Sequence, residues 1–275
     1  MKNFSKTLAL LAALGLALAS CSNTGGATNP ISGDEEGPTT VTPTDGGTGS
    51  GGGQTTSPST PTPTTPTTTQ TSYIGSHKPS EAKAVGDIIF SDGSFERLSE
   101  VIVMPTAQAS KAVAVIFYAG TSSDSLGEKT LGVGLNETQK IWAKQSAQGY
   151  WQTAADQSDG AANTSAIKAK SDYDEENYPA FYWADTYSAT GFASGWHLPA
   201  KNELKALYDQ KETVNSAVSA INNVFLYATA LGSGKYWSST ESMQHYAWRY
   251  DFNNGEEECA TKDTANLYVR AIRAF

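Results

Sequence analysis

Gly195-Trp196-His197-Leu198-Pro199-Ala200-Lys201-Asn202-Glu203-Leu204 is the stretch on which the reading of this chain turns. Pro199 suits the first turn of a helix, because its fixed φ is already helical and its missing N–H would have no partner there. Glu203 falls in that first turn, where a carboxylate is favoured by the helix dipole. The helix is expected from about Ala200 to Asp209, with Leu204, Leu207 and Tyr208 facing inward. Trp196, just before it, reads as a core anchor.

Two more helices are expected. Pro179 opens one whose Ala180, Trp183, Ala184 and Tyr187 recur at i, i+3, i+4 and i+7, and Gly191 can end it. Val214, Ala217, Val218 and Ile221 mark the other, from Thr213 to Asn222. The flanks read as β. Val85 to Phe90 is a strand followed by the turn signal Asp92-Gly93, with Phe95 to Leu98 returning. Ala112 to Tyr118 is almost continuously apolar, as a strand covered on both faces must be. Leu131 to Leu135 is a further short strand. Tyr246, Trp248, Tyr250 and Phe252 alternate with Ala247, Arg249 and Asp251, Asn254-Gly255 is a turn, and Tyr268 to Phe275 closes the chain as a strand. Strands, then helices, then strands make an α+β domain with a mainly antiparallel sheet and two or three helices.

Before Tyr73 the composition is different. Ser22 to Ser72 consists of Thr, Pro, Gly and Ser with almost no large apolar residue, too little to offset the entropy of ordering it. It reads as a disordered stalk with an end-to-end distance of about 40 Å. Ahead of it, Lys2 and Lys6 precede the apolar run Leu8 to Leu18, which is too short to span a bilayer and reads as an export signal. Leu18-Ala19-Ser20-Cys21 then resembles a bacterial lipobox. That resemblance implies cleavage after residue 20 and acylation of Cys21, a partnership with membrane lipid durable enough to hold the chain at the outer membrane or cell surface. The expected organisation is a signal peptide (1–20), an anchor with linker (21–72) and one domain (73–275). Beyond the acylated Cys21 one cysteine remains, Cys259, so no internal disulfide is expected and stability is expected to come from the core. The full chain carries a formal charge of −9, which becomes about −11 once Lys2 and Lys6 are removed. Such an acidic chain is a poor partner for nucleic acid.

Three segments in order carry a family resemblance: Gly195-Trp196-His197-Leu198-Pro199 with Glu203-Leu204; Tyr236-Trp237-Ser238-Ser239-Thr240-Glu241; and Ala247-Trp248, Gly255 and Val269-Arg270-Ala271-Ile272-Arg273. The order resembles the Legionella collagen-like protein C-terminal domain family, most clearly over residues 179–275, with residues 85–135 as its β-rich front part. The resemblance implies a C-type-lectin-like fold, related to sulfatase-modifying domains, in which the N- and C-terminal strands often pair. Relatives commonly carry Ser or Thr where this chain has Ala200, so half of a capping box is missing here, at a cost of about 1 kcal/mol. Formylglycine-generating relatives need cysteines that this domain lacks, so their activity does not carry over.

The residues themselves offer little chemistry. His77, His197 and His245 are the three histidines, and none has a zinc-binding spacing. No nucleophile elbow or phosphate loop occurs. The acidic runs Asp172 to Asn177 and Glu256-Glu257-Glu258 read as solvated turns rather than calcium loops. The chain is therefore read as non-enzymatic, without catalytic residues, metal or cofactor. Gln244, His245, Arg249, Asn253 and Asn254, on and beside an aromatic strand, are the expected ligand-binding residues, because amides and aromatic rings make adaptable recognition surfaces. The leading expectation is an adhesin-like domain for an extracellular glycan or protein. An envelope-assembly component and an enzyme with an unrecognised site are the alternatives.

Overall fold

The computed structural model describes residues 72–223 and 226–275. The export signal, Cys21 and the stalk lie outside the described residues. Strands β1 (Ile88–Phe90) and β2 (Phe95–Glu96) form the expected hairpin, with Gly93 supplying the positive φ of its turn. A one-turn helix α1 (Thr106–Ala109) precedes β3 (Ala112–Ala119) and β4 (Thr130–Lys140). The helices α2 (Gly160–Lys168), α3 (Pro179–Asp185), α4 (Lys201–Asp209) and α5 (Lys211–Asn222) follow, then β5 (Lys235–Met243), β6 (Tyr246–Asp251), β7 (Glu256–Thr261) and β8 (Leu267–Ala274).

The eight strands form one sheet in the order β2-β1-β3-β4-β8-β5-β6-β7. Every pairing is antiparallel except β5 with β8, which meet in parallel at Tyr236 and Tyr268. The last strand is thus central, and the first and last strands do not pair, contrary to the expectation carried by the lectin-like resemblance. The mixed α+β class holds, but with five α-helices among the described residues rather than two or three. The pattern of α2 conceals it: its buried residues are Gly160, Asn163, Thr164 and Ile167, so only one of four is strongly apolar. In α3, Phe181 is buried, while Trp183 is only partly so and Tyr187 lies beyond the helix end.

Both faces of the sheet are covered. Leu204 and Leu207 of α4 and Val214, Ala217, Val218 and Ile221 of α5 join Ile88, Val115, Phe117, Tyr236 and Ile272 on one side. On the other, Ile167 of α2 and Ala180, Phe181 and Ala184 of α3 join Ile89, Ile116, Trp196, Trp237 and Ala271. This explains the near-continuous apolar run of β3. The β4–β8 register shifts between Val133 and Glu137. That bulge turns carbonyls away from the ladder: Leu135 accepts from Thr229 N–H (2.8 Å) and Gly134 from Arg270 Nη1 (3.1 Å), so the loop after α5 is stitched into the sheet.

The segment entering the domain is clamped by one histidine. His77 pairs through its backbone with Phe95 and stacks on that ring at 4.9 Å, while Nδ1 meets Glu81 (3.0 Å) and Nε2 meets Glu100 (2.8 Å). The two carboxylates, Glu100 foremost, raise the imidazole pKa above its ordinary value. Hydrogen bonds from Lys78 and then His77 lower Glu81. A raised histidine stabilises fully below its unfolded pKa of about 6.5, and its contribution is lost as pH rises through the higher folded value. The lowered Glu81 works in the opposite sense, losing its contribution as pH falls through its folded value. The clamp is therefore expected to be strongest in mildly acid solution. Hydrogen exchange of residues 74–84 should slow as pH drops from 8 towards 6, after correction for intrinsic rates, and this dependence should vanish in His77→Gln. An unchanged dependence in the variant would refute it.

Candidate functional site

The five residues expected to bind ligand do not form one site. Gln244 and His245 occupy the β5–β6 turn, while Asn253 and Asn254 occupy the β6–β7 turn at the other end of the strand. Eight residues of nearly extended chain place these turns about 25 Å apart. Arg249 lies between them and is already engaged, with Nη2 2.8 Å from Glu258. At the far turn Asn254 Nδ2 donates to Glu256 (2.8 Å), and Asn253 borders a cavity of about 420 Å³ with Tyr208, Asp209, Lys211, Glu212 and Phe252. The expected aromatic face is divided as well: Tyr250 and Phe252 are buried, Tyr246 and Trp248 only partly, and Trp248 carries the ammonium of Lys201 4.1 Å from its ring centre.

The near turn is the better candidate. Gln244 and His245 are exposed there, and the ring of His245 lies 5.8 Å from that of Tyr150. Next to Tyr150, Trp151 is 40 % exposed, and Met243 is 36 % exposed. Gln152 follows with φ +58°, the one described non-glycine residue in the left-handed region. Backbone strain of that kind persists only where the surroundings impose it, and it clusters at ligand-binding positions. Here Thr153 N–H, bonded to Glu241 Oε2 (3.3 Å), and Glu241 N–H, bonded to the Ala154 carbonyl (2.7 Å), hold the loop against β5.

Beneath Trp151 lies Lys262, fully buried. Its ammonium stands 4.6 Å from the ring centre of Trp142, 4.9 Å from Tyr150 and 5.6 Å from Trp151, an aromatic cage filled by the chain's own cation. It donates to the carbonyls of Tyr150 and Gln244, and Glu241 Oε1 is 3.4 Å away. Burial pushes the Lys262 pKa down to about 8, against the pull of Glu241. Burial, with the Asp263 carboxylate second, pushes the Tyr150 phenol up to about 12. An exposed indole and imidazole, two side-chain amides and a strained backbone held on a charged, dry pedestal can present a rigid surface to a ligand.

Side chains of the Gly195-to-Glu203 and Tyr236-to-Glu241 motifs pack in the core and tie loops. Trp196 and Trp237 are buried, their indole N–H groups donating to Phe192 O (2.8 Å) and Lys140 O (3.0 Å). Ser238 donates to Trp248 O (2.9 Å), and Thr240 to Asp156 O (2.7 Å). His197 is buried and paired through its backbone with Ile272. Both acidic runs are ion-paired: Glu175 with Lys140, Glu176 with Lys144, Glu257 with Lys201 and Glu258 with Lys235. Among the described residues no group of three or more His, Cys, Asp or Glu could hold a metal ion, and no helix is long and apolar enough to cross a membrane.

Tyr150, Trp151, Gln152 and Lys262 were not legible as site residues. Gly149-Tyr150-Trp151-Gln152, an aromatic pair outside any periodic pattern, was the one available signal.

No curated protein matches the chain. Among solved structures, a fimbrial protein from Bacteroides ovatus has a similar fold, with a TM-score of 0.51 and 16 % sequence identity over 70 % of this chain and 49 % of that one. The chain thus spans about half the length of that structure. The family model of the Lcl C-terminal domain matches residues 135–273, a span holding α2 to α5, β5 to β8 and both motifs, and the chain therefore belongs to the Lcl C-terminal domain family.

Proposed function

We propose that this protein is a lipid-anchored surface protein, held through acylated Cys21 and raised on the linker of residues 21–72, whose domain of residues 73–275 recognises an extracellular glycan or protein. We read that domain as C-type-lectin-like and non-catalytic, with the Gln244–His245 end as its contact region. Arg249, Asn253 and Asn254 belong to a separate surface in this reading. The observation that carries it is the exposed Trp151, followed by left-handed Gln152 and seated over the Lys262 ammonium, which also donates to the Gln244 carbonyl. Exposed aromatic side chains on tied loops give binding energy at low entropic cost. Family membership and the likeness to a fimbrial protein support a role at the cell surface.

The test is binding of the purified chain to glycan and protein arrays. At least one ligand is expected, and Trp151→Ala should weaken its binding roughly tenfold or more while leaving the circular dichroism spectrum unchanged. No ligand at millimolar concentration, or full affinity in Trp151→Ala, would sink the assignment.

A further inference from the structure

Lys262 and Glu241 meet in an arrangement that ordinary ion pairing does not require. Both are buried, Lys262 completely and the Glu241 side chain to all but 3 %. Among the described residues Glu241 Oε1 accepts no hydrogen bond. Its neighbour is Lys262 Nζ, 3.4 Å away. The carbonyls of Tyr150 and Gln244 orient the nitrogen, and the backbone N–H of Thr153 points at the other carboxylate oxygen, Oε2. Trp142, Tyr150 and Trp151 wall the pair from water.

We propose that Lys262 and Glu241 condense into an intramolecular amide, joining β5 covalently to the segment that follows β7. In a dry cage an ion pair loses its advantage over the neutral amine and carboxylic acid, so one proton passes from Nζ to Oε1. Nζ then adds to Cδ. The negative charge gathers on Oε2, where the Thr153 N–H holds it as an oxyanion-hole donor would. A second proton moves from nitrogen to the Oε1 hydroxyl, the Cδ–Oε1 bond breaks and Oε1 leaves as water. One proton stays on the new amide nitrogen. Atoms and charge balance without an oxidant or co-reactant, and two buried charges disappear. Fixing amine and acid in one cage supplies a high effective concentration, which favours condensation over hydrolysis. The product would fix β5, against which the Trp151 loop is hydrogen-bonded, to the segment after β7, an advantage for a domain working outside the cell.

The test is peptide mass spectrometry on a reduced tryptic digest of the full chain isolated from cells that export it. An amide makes Lys262 refractory to trypsin and joins residues 236–249 to residues 250–270 in one branched species lighter by one water than its parts. That species is expected in most molecules and should be replaced by linear peptides in Glu241→Ala. Linear peptides 236–249 and 250–262 from wild-type protein, shown to be folded by its near-ultraviolet circular dichroism, would overturn the proposal and leave the pair a buried salt bridge.

Discussion

Replacing Glu203 with alanine should lower the unfolding free energy by about 4 kcal/mol, the cost of opening a buried, multiply bonded carboxylate. Glu203 is 1 % exposed. Its Oε2 accepts the backbone N–H of Ala200 (2.9 Å) and of Gly160 (3.0 Å), so one carboxylate serves the starts of both α4 and α2. Lys129 reaches Oε1 at 3.6 Å from the β3–β4 hairpin, and His197 Nε2 is 3.7 Å from Oε2. Alanine would strand two buried N–H groups and a lysine at once. With a urea dependence of about 2 kcal/mol per molar, the midpoint should fall by about 2 M. Glu203→Gln keeps one carbonyl acceptor and loses the charge, so it should cost about half as much. A midpoint shift below about 0.5 M for Glu203→Ala would show that the helix starts do not depend on this residue.

Arg270→Lys should cost about 3 kcal/mol although it preserves the charge, because a lysine cannot reproduce the guanidinium fork. Arg270 is 2 % exposed on the central strand β8. Nε donates to Glu137 (2.9 Å), Nη1 to Gly134 O (3.1 Å), and Nη2 to Thr229 O (2.6 Å) and Ala230 O (3.1 Å). Tyr236 O–H shares the Glu137 carboxylate (2.9 Å). One side chain therefore pins the β4 bulge and the loop after α5. The loss should be local before it is global. Amide hydrogen exchange at residues 228–231 should accelerate at least tenfold in Arg270→Lys, while that of β3 changes less. Equal acceleration in both segments would show that the loop is held by something other than Arg270.

These expectations rest on contacts across the fold, and there the sequence is weakest as a guide. The α4 and α5 helices, the β3 strand and the turns at Gly93 and Gly255 were legible, because each is written in the spacing of neighbouring residues. Helix α2 was not, since Glu203, Ser239 and Asp156 satisfy its polar buried face from elsewhere in the chain. The candidate site was half legible. Gln244 and His245 could be singled out on their turn, but Trp151, 93 positions before Gln244, has no local sign of being left exposed. Asn253 and Asn254 flank the same strand in the sequence, and the length of that strand separates them from Gln244 and His245.

Ala200 divides the two kinds of information most clearly. Local pattern determined that a helix starts there, with Pro199 before it and Glu203 in its first turn, and that its N-cap residue lacks a side-chain acceptor. Tertiary structure decided how the exposed backbone donors are satisfied: Thr240, from β5, accepts the Lys201 N–H at 3.0 Å. The same holds for function. Composition and turn chemistry determined an α+β domain with polar and aromatic turns, since periodicity and φ preference are properties of neighbouring residues. Which of those turns receives an indole platform, a caged lysine and a strained backbone depended on segments brought together from across the chain, and side chains so far apart meet only once the sheet has formed.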